Sequence, residues 1–307
     1  MFRFEKEQKV FNIAGVNIGG QPGEYPTALI GSIFYSGHKI VSDHVKGDFD
    51  RKQAEALINK VDGLSEKTGN PYILDVVGET SEALIKYIDF VAEKTKCPFL
   101  VDGVTSQIRM PAMKHAAEIG LTERAIYNSI DFHVSDEENN FLKDCRVQNA
   151  VLMAFNPKKP WADGRVDVLK GEPGQKGLLK TAEEAGVQKV LVDTAVLDMP
   201  SIAICSKAIQ LVKSEFGLPA GCGSANAVTT WKRVKKGEFG PMGYEVCSAG
   251  SGILTQTMGA NFLLYGPVEL SETMFIACAM TDALIAYGAR KLGIVTKTRN
   301  HPLYKIF

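Results

Sequence analysis

The feature of this sequence that most constrains its fold is the regular alternation of short apolar runs with longer segments of helical periodicity. Eight runs rich in β-branched and apolar residues are each bounded by turn residues, which is typical of buried parallel strands. The predicted strands are residues 28–34, 72–76, 99–102, 125–128, 150–155, 190–193, 219–221 and 262–265. The repeated order of strand and helix predicts β-α units, and hence a parallel sheet.

The segments between these runs carry apolar residues at spacings of three and four, as one face of a helix does. The predicted helices are residues 51–67, 81–94, 106–119, 136–143, 174–184, 201–216, 225–235 and 271–292. Asp50 and Thr80 stand at the N-cap positions of the first two. Eight units of this kind predict a (β/α)8 TIM barrel of the α/β class.

A closed barrel fits the strands better than an open sheet does, because continuous apolar strands are covered on both faces. No G-x-G-x-x-G motif follows the first strand, as a doubly wound nucleotide-binding sheet would require. Residues 2–4 and 10–13 are interpreted as a short N-terminal β-hairpin that plugs one end of the barrel. Since no linker or repeat is evident, we expect one domain over residues 1–307.

Composition excludes several functional classes. Lys and Arg together number 35, as do Asp and Glu, so the chain lacks the basic excess of a nucleic-acid-binding protein. No apolar run approaches the roughly 20 residues of a transmembrane helix, and the N-terminus is charged, which predicts a cytoplasmic protein. The six cysteines form no C-x-x-C pair, so neither a structural metal site nor a disulfide framework is predicted.

Polar side chains stand at or just beyond the carboxyl ends of the predicted strands. They are Asp75, Asp102, Asn128, Asn156, Asp193 and, in the glycine-rich segment 221–226, Asn226. These strand ends converge on one rim of a (β/α)8 barrel, and that rim carries the active site. The alternative interpretation is that each residue only ends its strand or caps the next helix.

The chemistry of this set favours an organic ligand. Asp and Asn with hardly any His or Cys make a poor transition-metal site, and no metal is predicted. A carboxylate can accept two N–H groups from a guanidine-like edge, and carboxamides read mixed donors and acceptors, as a pterin ring presents. A serine hydrolase is not indicated, because no G-x-S-x-G motif is present. His38 follows the first strand and lies near the rim.

Four segments resemble the family formed by the MtrH subunit of tetrahydromethanopterin S-methyltransferase and its bacterial relatives. They are GGQPGEYP at residues 19–26, GSIFYSGHK at 31–39, LDVVGET at 74–80 and YNSI at 127–130, and the resemblance covers almost the whole chain. It implies transfer of a methyl group between the cobalt of a corrinoid-binding partner protein and a tetrahydropterin. The bacterial relatives, which act on tetrahydrofolate, are the most similar, so tetrahydrofolate is favoured over tetrahydromethanopterin.

Similarity to the wider pterin-binding superfamily, which includes dihydropteroate synthase, implies individual roles. Asp102, Asn128 and Asp193 would hold the pterin ring, and Asn226 would contact the nitrogen that carries the methyl group. Asn226 and Asp102 are the predicted catalytic residues. Supporting or alternative ring contacts are assigned to Asp75, Asn156 and Glu79, of which Glu79 would otherwise cap the second helix.

Two other functions remain open at this point. One is a pterin-binding subunit that acts only within the membrane tetrahydromethanopterin:coenzyme M methyltransferase complex. The other is a condensing enzyme like dihydropteroate synthase, but the synthase's Ser-Arg-Lys loop after the seventh strand is absent here. We also expect the chain to form a homodimer.

Overall fold

Eight parallel strands close into a barrel in the structure, a computed structural model that describes residues 1–306. The strands follow one another around the barrel in chain order, and Phe262 of the eighth pairs with Ala28 of the first. From first to eighth they are Ala28–Ile33, Tyr72–Gly78, Phe99–Gly103, Ala125–Ile130, Asn149–Met153, Lys189–Asp193, Ala220–Cys222 and Phe262–Pro267. The predicted (β/α)8 barrel is therefore confirmed.

Helices follow every strand and cover the outside of the barrel. They are Arg51–Thr68, Ser81–Lys94, Ser106–Glu118, Asp136–Asp144, Ala162–Lys170, Leu178–Glu184, Ser201–Phe216, Ser224–Val228, Lys232–Lys235, Gly243–Thr257, Ser271–Ala289 and Leu303–Ile306. Both predicted N-caps are confirmed: the Asp50 carboxylate accepts from the N–H groups of Lys52 and Gln53, and Thr80 Oγ1 accepts from that of Ala83. None of the helices within residues 1–306 combines the length and apolar character that a membrane crossing requires.

The prediction missed two helices, and glycine explains both. Helix Ala162–Lys170 contains Gly164, where a Cβ would lie 2.0 Å from the carbonyl oxygen of Lys159. Helix Gly243–Thr257 contains Gly252, where a Cβ would lie 2.9 Å from Cε of Met274 in the next helix. Glycine disfavours a helix locally, but here the close approach of a neighbouring segment requires it.

Two predicted helices have different bounds. The segment 174–184 begins as part of a two-stranded hairpin of Gly171–Glu172 and Gln175–Lys176, and its helix starts only at Leu178. The segment 225–235 divides into helices Ser224–Val228 and Lys232–Lys235, so a turn interrupts the predicted helix.

The N-terminal hairpin is present, but one of its predicted strands is wrong. Val10–Ile13 pairs with Val16–Gly19 rather than with residues 2–4. The turn between them has positive φ at Ala14 and Gly15, which suits a tight two-residue hairpin. The backbone of Phe4 instead exchanges hydrogen bonds with the side chain of Gln21.

Alternation along the strands separates two apolar layers. Inward side chains fill the barrel interior and are closed off by Ile13 and Ile18 of the hairpin. The inward positions are Ile30, Ile73, Leu100, Ile126, Val151, Leu191 and Leu264. Their neighbours, such as Leu74, Val101 and Tyr127, point outward and pack against the helices. The barrel is thus filled and plugged at its amino-terminal end, which leaves the carboxyl-terminal end as the open one.

Candidate active site

A polar layer lies directly above the apolar interior. Because strand side chains alternate, the residue two positions after each inward apolar residue also points inward. Those positions hold Ser32, Asp75, Asp102, Asn128, Met153, Asp193 and Gly266. Strand register supports this layer, since Ser32 pairs with Asp75 and Asp102 with Asn128. Four of the predicted ligand-binding residues therefore belong to one layer at the barrel mouth.

Asp75 and Asp102 form a pair of neighbouring carboxyl groups. Oδ2 of Asp75 accepts a hydrogen bond of 2.6 Å from Oγ of Ser32. Its Oδ1 is buried and receives no hydrogen bond from any residue between 1 and 306. Burial raises the pKa of Asp75 to about 6, and burial together with the charge of Asp75 raises the pKa of Asp102 well above its usual range. Carboxyl groups this close share a proton near neutral pH.

Asn128 extends this pair around the mouth. Its side chain is within hydrogen-bonding reach of Asp102 and lowers the pKa of that carboxyl group. On the fifth strand the layer continues with Met153, whose side chain is partly exposed at the mouth. Apolar Met153 between Asn128 and Asp193 provides a flat, polarisable contact of the kind that packs against aromatic rings.

Asp193 ends the sixth strand and is held by the loop that follows it. Its Oδ1 accepts a hydrogen bond of 2.8 Å from the N–H of Ala195, whose φ is 53°. Burial raises the pKa of Asp193 to about 6, although the nearby Arg165 lowers it. Oδ2 is given no hydrogen-bond donor by the described part of the chain, so this carboxylate keeps acceptor capacity for a ligand.

Arg165 is fully buried beneath the Asp193 loop. Its Nε donates to the carbonyl oxygen of Thr194 (2.5 Å) and its Nη2 to that of Ala195 (3.0 Å). Its Nη1 donates to the carbonyl oxygens of Pro160 (2.6 Å) and Trp161 (3.1 Å). One guanidinium group therefore fixes the loops after the fifth and sixth strands to each other.

Arg109 has a similar place beneath Asp102. Its Nη1 donates to the carbonyl oxygen of Gly103 (2.9 Å), and its Nη2 donates to that of Ser129 and to Oε1 of Glu138. The charge of Arg109 also opposes the rise in the pKa of Asp102. It joins the loops after the third and fourth strands, as Arg165 joins those after the fifth and sixth.

Asn226 lies in the short helix after the seventh strand and is exposed at the rim. Its side chain rests against two glycines, Gly223 and Gly266. A Cβ at Gly266 would lie 2.3 Å from Oδ1 of Asn226, and Gly266 has a φ of +77°. The bend in the eighth strand at Gly266 therefore leaves room for the Asn226 carboxamide at the edge of the polar layer.

The structure does not bring Asn156 and Glu79 into this layer. The fifth strand ends at Met153, and Oδ1 of Asn156 accepts from the N–H of Lys158 within the following loop. Glu79 is exposed, with Oε1 3.9 Å from Nδ1 of His44, and Thr80 is the residue that caps the second helix. The predicted alternative role of Glu79 as a cap is therefore wrong.

His38 connects two loops instead of facing the mouth. Its Nδ1 accepts from the N–H of Phe34 (3.0 Å), which leaves the proton on Nε2, 2.9 Å from Oε1 of Glu269. The ring stacks on Tyr35, whose hydroxyl donates to Glu269. His38 thereby holds the loop after the first strand against the segment after the eighth.

Exposed aromatic and apolar side chains surround the mouth on one side. Trp161, Leu197 and Trp231 follow the fifth, sixth and seventh strands. A recess of about 600 Å³ lies between the last two loops and is lined by Asp198, Met199, Pro200, Thr230 and Trp231. We call this the rim recess. The adjoining helix Lys232–Lys235 carries three positive charges.

Sequence reasoning missed Ser32, Met153, Arg109 and Arg165. The first two had a local signal, since each lies two residues after an inward apolar residue of its strand. The two arginines had none, because an arginine within a helical segment is ordinary on a surface. Among residues 1–306, His, Cys, Asp and Glu side chains nowhere cluster in threes that could hold a metal ion.

Sequence comparison covers almost the whole chain. Residues 6–297 match the family described as the tetrahydromethanopterin S-methyltransferase MtrH subunit. The chain belongs to this family. The H subunit of the tetrahydromethanopterin S-methyltransferase of Methanothermobacter thermautotrophicus is 40% identical over 312 residues, with 100% of both chains covered. The H subunit of the putative methyltransferase mtx of Methanosarcina barkeri is 41% identical over 307 residues, with 99% of each covered.

Solved structures with a similar fold are dihydropteroate synthases. The enzyme of Xanthomonas albilineans in complex with 7,8-dihydropteroate has a TM-score of 0.58 and 17% identity, covering 92% of this chain and 98% of its own. That of Yersinia pestis has a TM-score of 0.59 and 14% identity, covering 90% and 98%. At this identity the likeness confirms the barrel fold alone, whereas membership of the MtrH family makes the chain part of a methyltransferase family.

Proposed function

We propose that this chain transfers a methyl group between the ring nitrogen of a tetrahydropterin and the cobalt of a corrinoid-binding protein. The observation that carries the proposal is the polar layer at the barrel mouth, where three carboxyl groups and a carboxamide lie directly above an apolar floor. A flat ring with a guanidine-like edge matches both parts. Membership of a methyltransferase family supports the reaction class.

The donor and acceptor pattern of the layer fits a pterin. Asp193 offers a carboxylate oxygen to the guanidine-like edge, and Asp75 has a buried oxygen that no described protein donor reaches. An unsatisfied buried acceptor is costly, so a ligand N–H at this point is favourable. Asp102 and Asn128 complete the edge, and Met153 contacts the face of the ring.

Asn226 acts on the reacting nitrogen in this proposal. As the bond between methyl and nitrogen breaks or forms, the charge on that nitrogen changes, and a carboxamide N–H stabilises the electron pair on it. Gly223 and Gly266 leave the space in which the Asn226 side chain can turn towards the ring. The shared proton of Asp75 and Asp102 keeps the far side of the ring hydrogen-bonded.

The corrinoid cobalt, carried by a partner protein, supplies the centre that gives or receives the methyl group. The chain's own contribution is to orient the ring and to exclude water from the mouth. The rim recess, with Trp231 and Met199, offers an apolar surface beside Asn226 for the partner. Large exposed aromatic residues of this kind are frequent centres of protein–protein contacts.

The identity of the pterin and of the assembly remains a prediction. The resemblance of the sequence segments favours tetrahydrofolate, whereas the relatives at about 40% identity are named for tetrahydromethanopterin. Both pterins present the ring edge that the polar layer would bind. Isothermal titration of the purified chain with each pterin is the direct test, and we expect binding of at least one.

Methyl transfer is measured with methylcobalamin as the donor and each tetrahydropterin as the acceptor. Formation of methylated pterin that depends on the chain supports the proposed enzyme. Binding without transfer would favour the pterin-presenting subunit of a larger complex. The failure of both pterins to bind would contradict the proposal itself.

Replacing Asn226 with Ala is expected to slow methyl transfer by about 100-fold, as removal of an oxyanion-type donor does, and to weaken pterin binding much less. Gly266→Ala should act similarly, because its new Cβ would displace Asn226 Oδ1. Gly174→Ala is the matched control: its φ is +82°, but nothing lies within 4 Å of a Cβ there. Equal losses in rate and affinity for Asn226→Ala would argue against its role at the reacting nitrogen.

A further inference from the structure

The helix Ser271–Ala289, after the eighth strand, is apolar on its outer side as well as its inner side. Its inner side packs against the barrel through Met274, Phe275 and Cys278. On the outer side Ile276, Met280 and Leu284 are 59%, 46% and 52% exposed. These residues recur every four positions, so they form one stripe along the helix. We call these three residues the outer stripe.

This part of the helix carries no exposed charge. Between Glu272 and Arg290 the only charged residue is Asp282, which is buried and accepts hydrogen bonds from Thr27, Asn70 and Gln256. The neighbouring helix Gly243–Thr257 adds exposed Val246 and Leu254 to the same side. A contiguous apolar surface of this extent is a recognised mark of an interaction site.

We propose that the outer stripe is the interface through which two copies of this chain form a dimer. A twofold axis between Met280 and Leu284 would set the two helices antiparallel, and each Met280 would meet the other copy's Leu284. In the same register Ile276 would face Gly288, and Tyr287 would face Ala277. These pairs of a large side chain with a small one give the self-complementarity that a twofold interface requires.

The charges at the two ends of the helix complement each other in this arrangement. Exposed Glu272 stands at the amino-terminal end, and Arg290 and Lys291 stand at the carboxyl-terminal end. An antiparallel pair brings Glu272 of one copy near Arg290 and Lys291 of the other. A parallel pair would instead place like charges together, so the charges favour the twofold register.

The location of the stripe is compatible with the proposed reaction. Helix Ser271–Ala289 lies on the flank of the barrel beside helices Arg51–Thr68 and Gly243–Thr257. The polar layer and the rim recess are at the barrel mouth. A dimer through the outer stripe therefore leaves both mouths free for a ligand and a partner protein.

The test is the mass of the purified chain in solution by sedimentation and light scattering. We expect twice the 33.4 kDa of one chain at micromolar concentration. The double variants Met280→Glu/Leu284→Glu and Met280→Lys/Leu284→Lys should each be monomeric, because like charges would oppose each other across the axis. Val104→Glu, a charge placed on a highly exposed apolar residue elsewhere, should remain dimeric.

Mixing the two double variants provides the sharper measurement. If the stripe faces itself, the acidic and basic variants should restore a dimer together, since the introduced carboxylates of one would meet the introduced ammonium groups of the other. A monomeric wild type, or variants that stay dimeric alone, would overturn the proposal. So would mixed variants that remain monomeric, because the stripe would then contact a different surface.

Discussion

Asp193→Asn is expected to weaken tetrahydropterin binding by roughly 100-fold or more, because two hydrogen bonds to a buried carboxylate contribute about 1.5–3 kcal/mol each. The amide that replaces the carboxylate accepts through one atom only, and its NH2 group would face the N–H donors of the ring. Isothermal titration with the pterin that the wild type binds measures the loss.

Asp163→Asn is the control for this substitution. Asp163 lies in the first turn of helix Ala162–Lys170 and is exposed, so the same loss of charge occurs on the same side of the barrel without loss of a ring contact. Its affinity should stay near that of the wild type. If Asp193→Asn also bound the pterin normally, the sixth strand would not contribute to recognition.

The affinity should also depend on pH through Asp193. Burial raises the pKa of its carboxyl group in the free chain to about 6, and the ligand requires the ionised form. Above that pH the carboxylate is already present. Below it a proton must be expelled first, so affinity should fall by up to about tenfold for each pH unit. Asp193→Asn should remove this component of the pH dependence.

Arg165→Met is expected to destabilise the chain by about 3–5 kcal/mol, because the carbonyl oxygens that the guanidinium group satisfies would remain buried without a donor. Four carbonyl oxygens lose a donor, on the loops after the fifth and sixth strands. Loss of the arginine also removes the charge that lowers the pKa of Asp193. Urea unfolding measures the stability, and titration measures pterin affinity in the fraction that folds.

Arg124→Met separates positioning from general stability. Arg124 precedes the fourth strand at the opposite end of the barrel and donates to the carbonyl oxygens of Thr95 and Cys97. Its loss should lower the free energy of unfolding but leave pterin affinity unchanged. Should both arginine variants retain normal affinity when folded, Arg165 would be structural without a role in holding Asp193.

The sequence predicts much of the candidate site because the barrel makes strand ends converge. Asp75, Asp102, Asn128 and Asp193 each follow an inward apolar residue by two positions, and alternation alone aligns them in one layer. Asn156 lies outside the layer although the apolar run extends the predicted fifth strand to residue 155. The strand ends at Met153, so the inward position belongs to a methionine.

The sequence by itself determined the order of strands and helices, the barrel class and the family, since apolar periodicity and segment resemblance are local properties. Only the tertiary structure decided which residues support the mouth. Arg165 and Thr194 are 29 residues apart, and Tyr35 and Glu269 are 234 apart, so no local pattern reports their contact. The helix Gly243–Thr257 was missed for the same reason, because the need for Gly252 comes from a neighbouring helix that periodicity does not register.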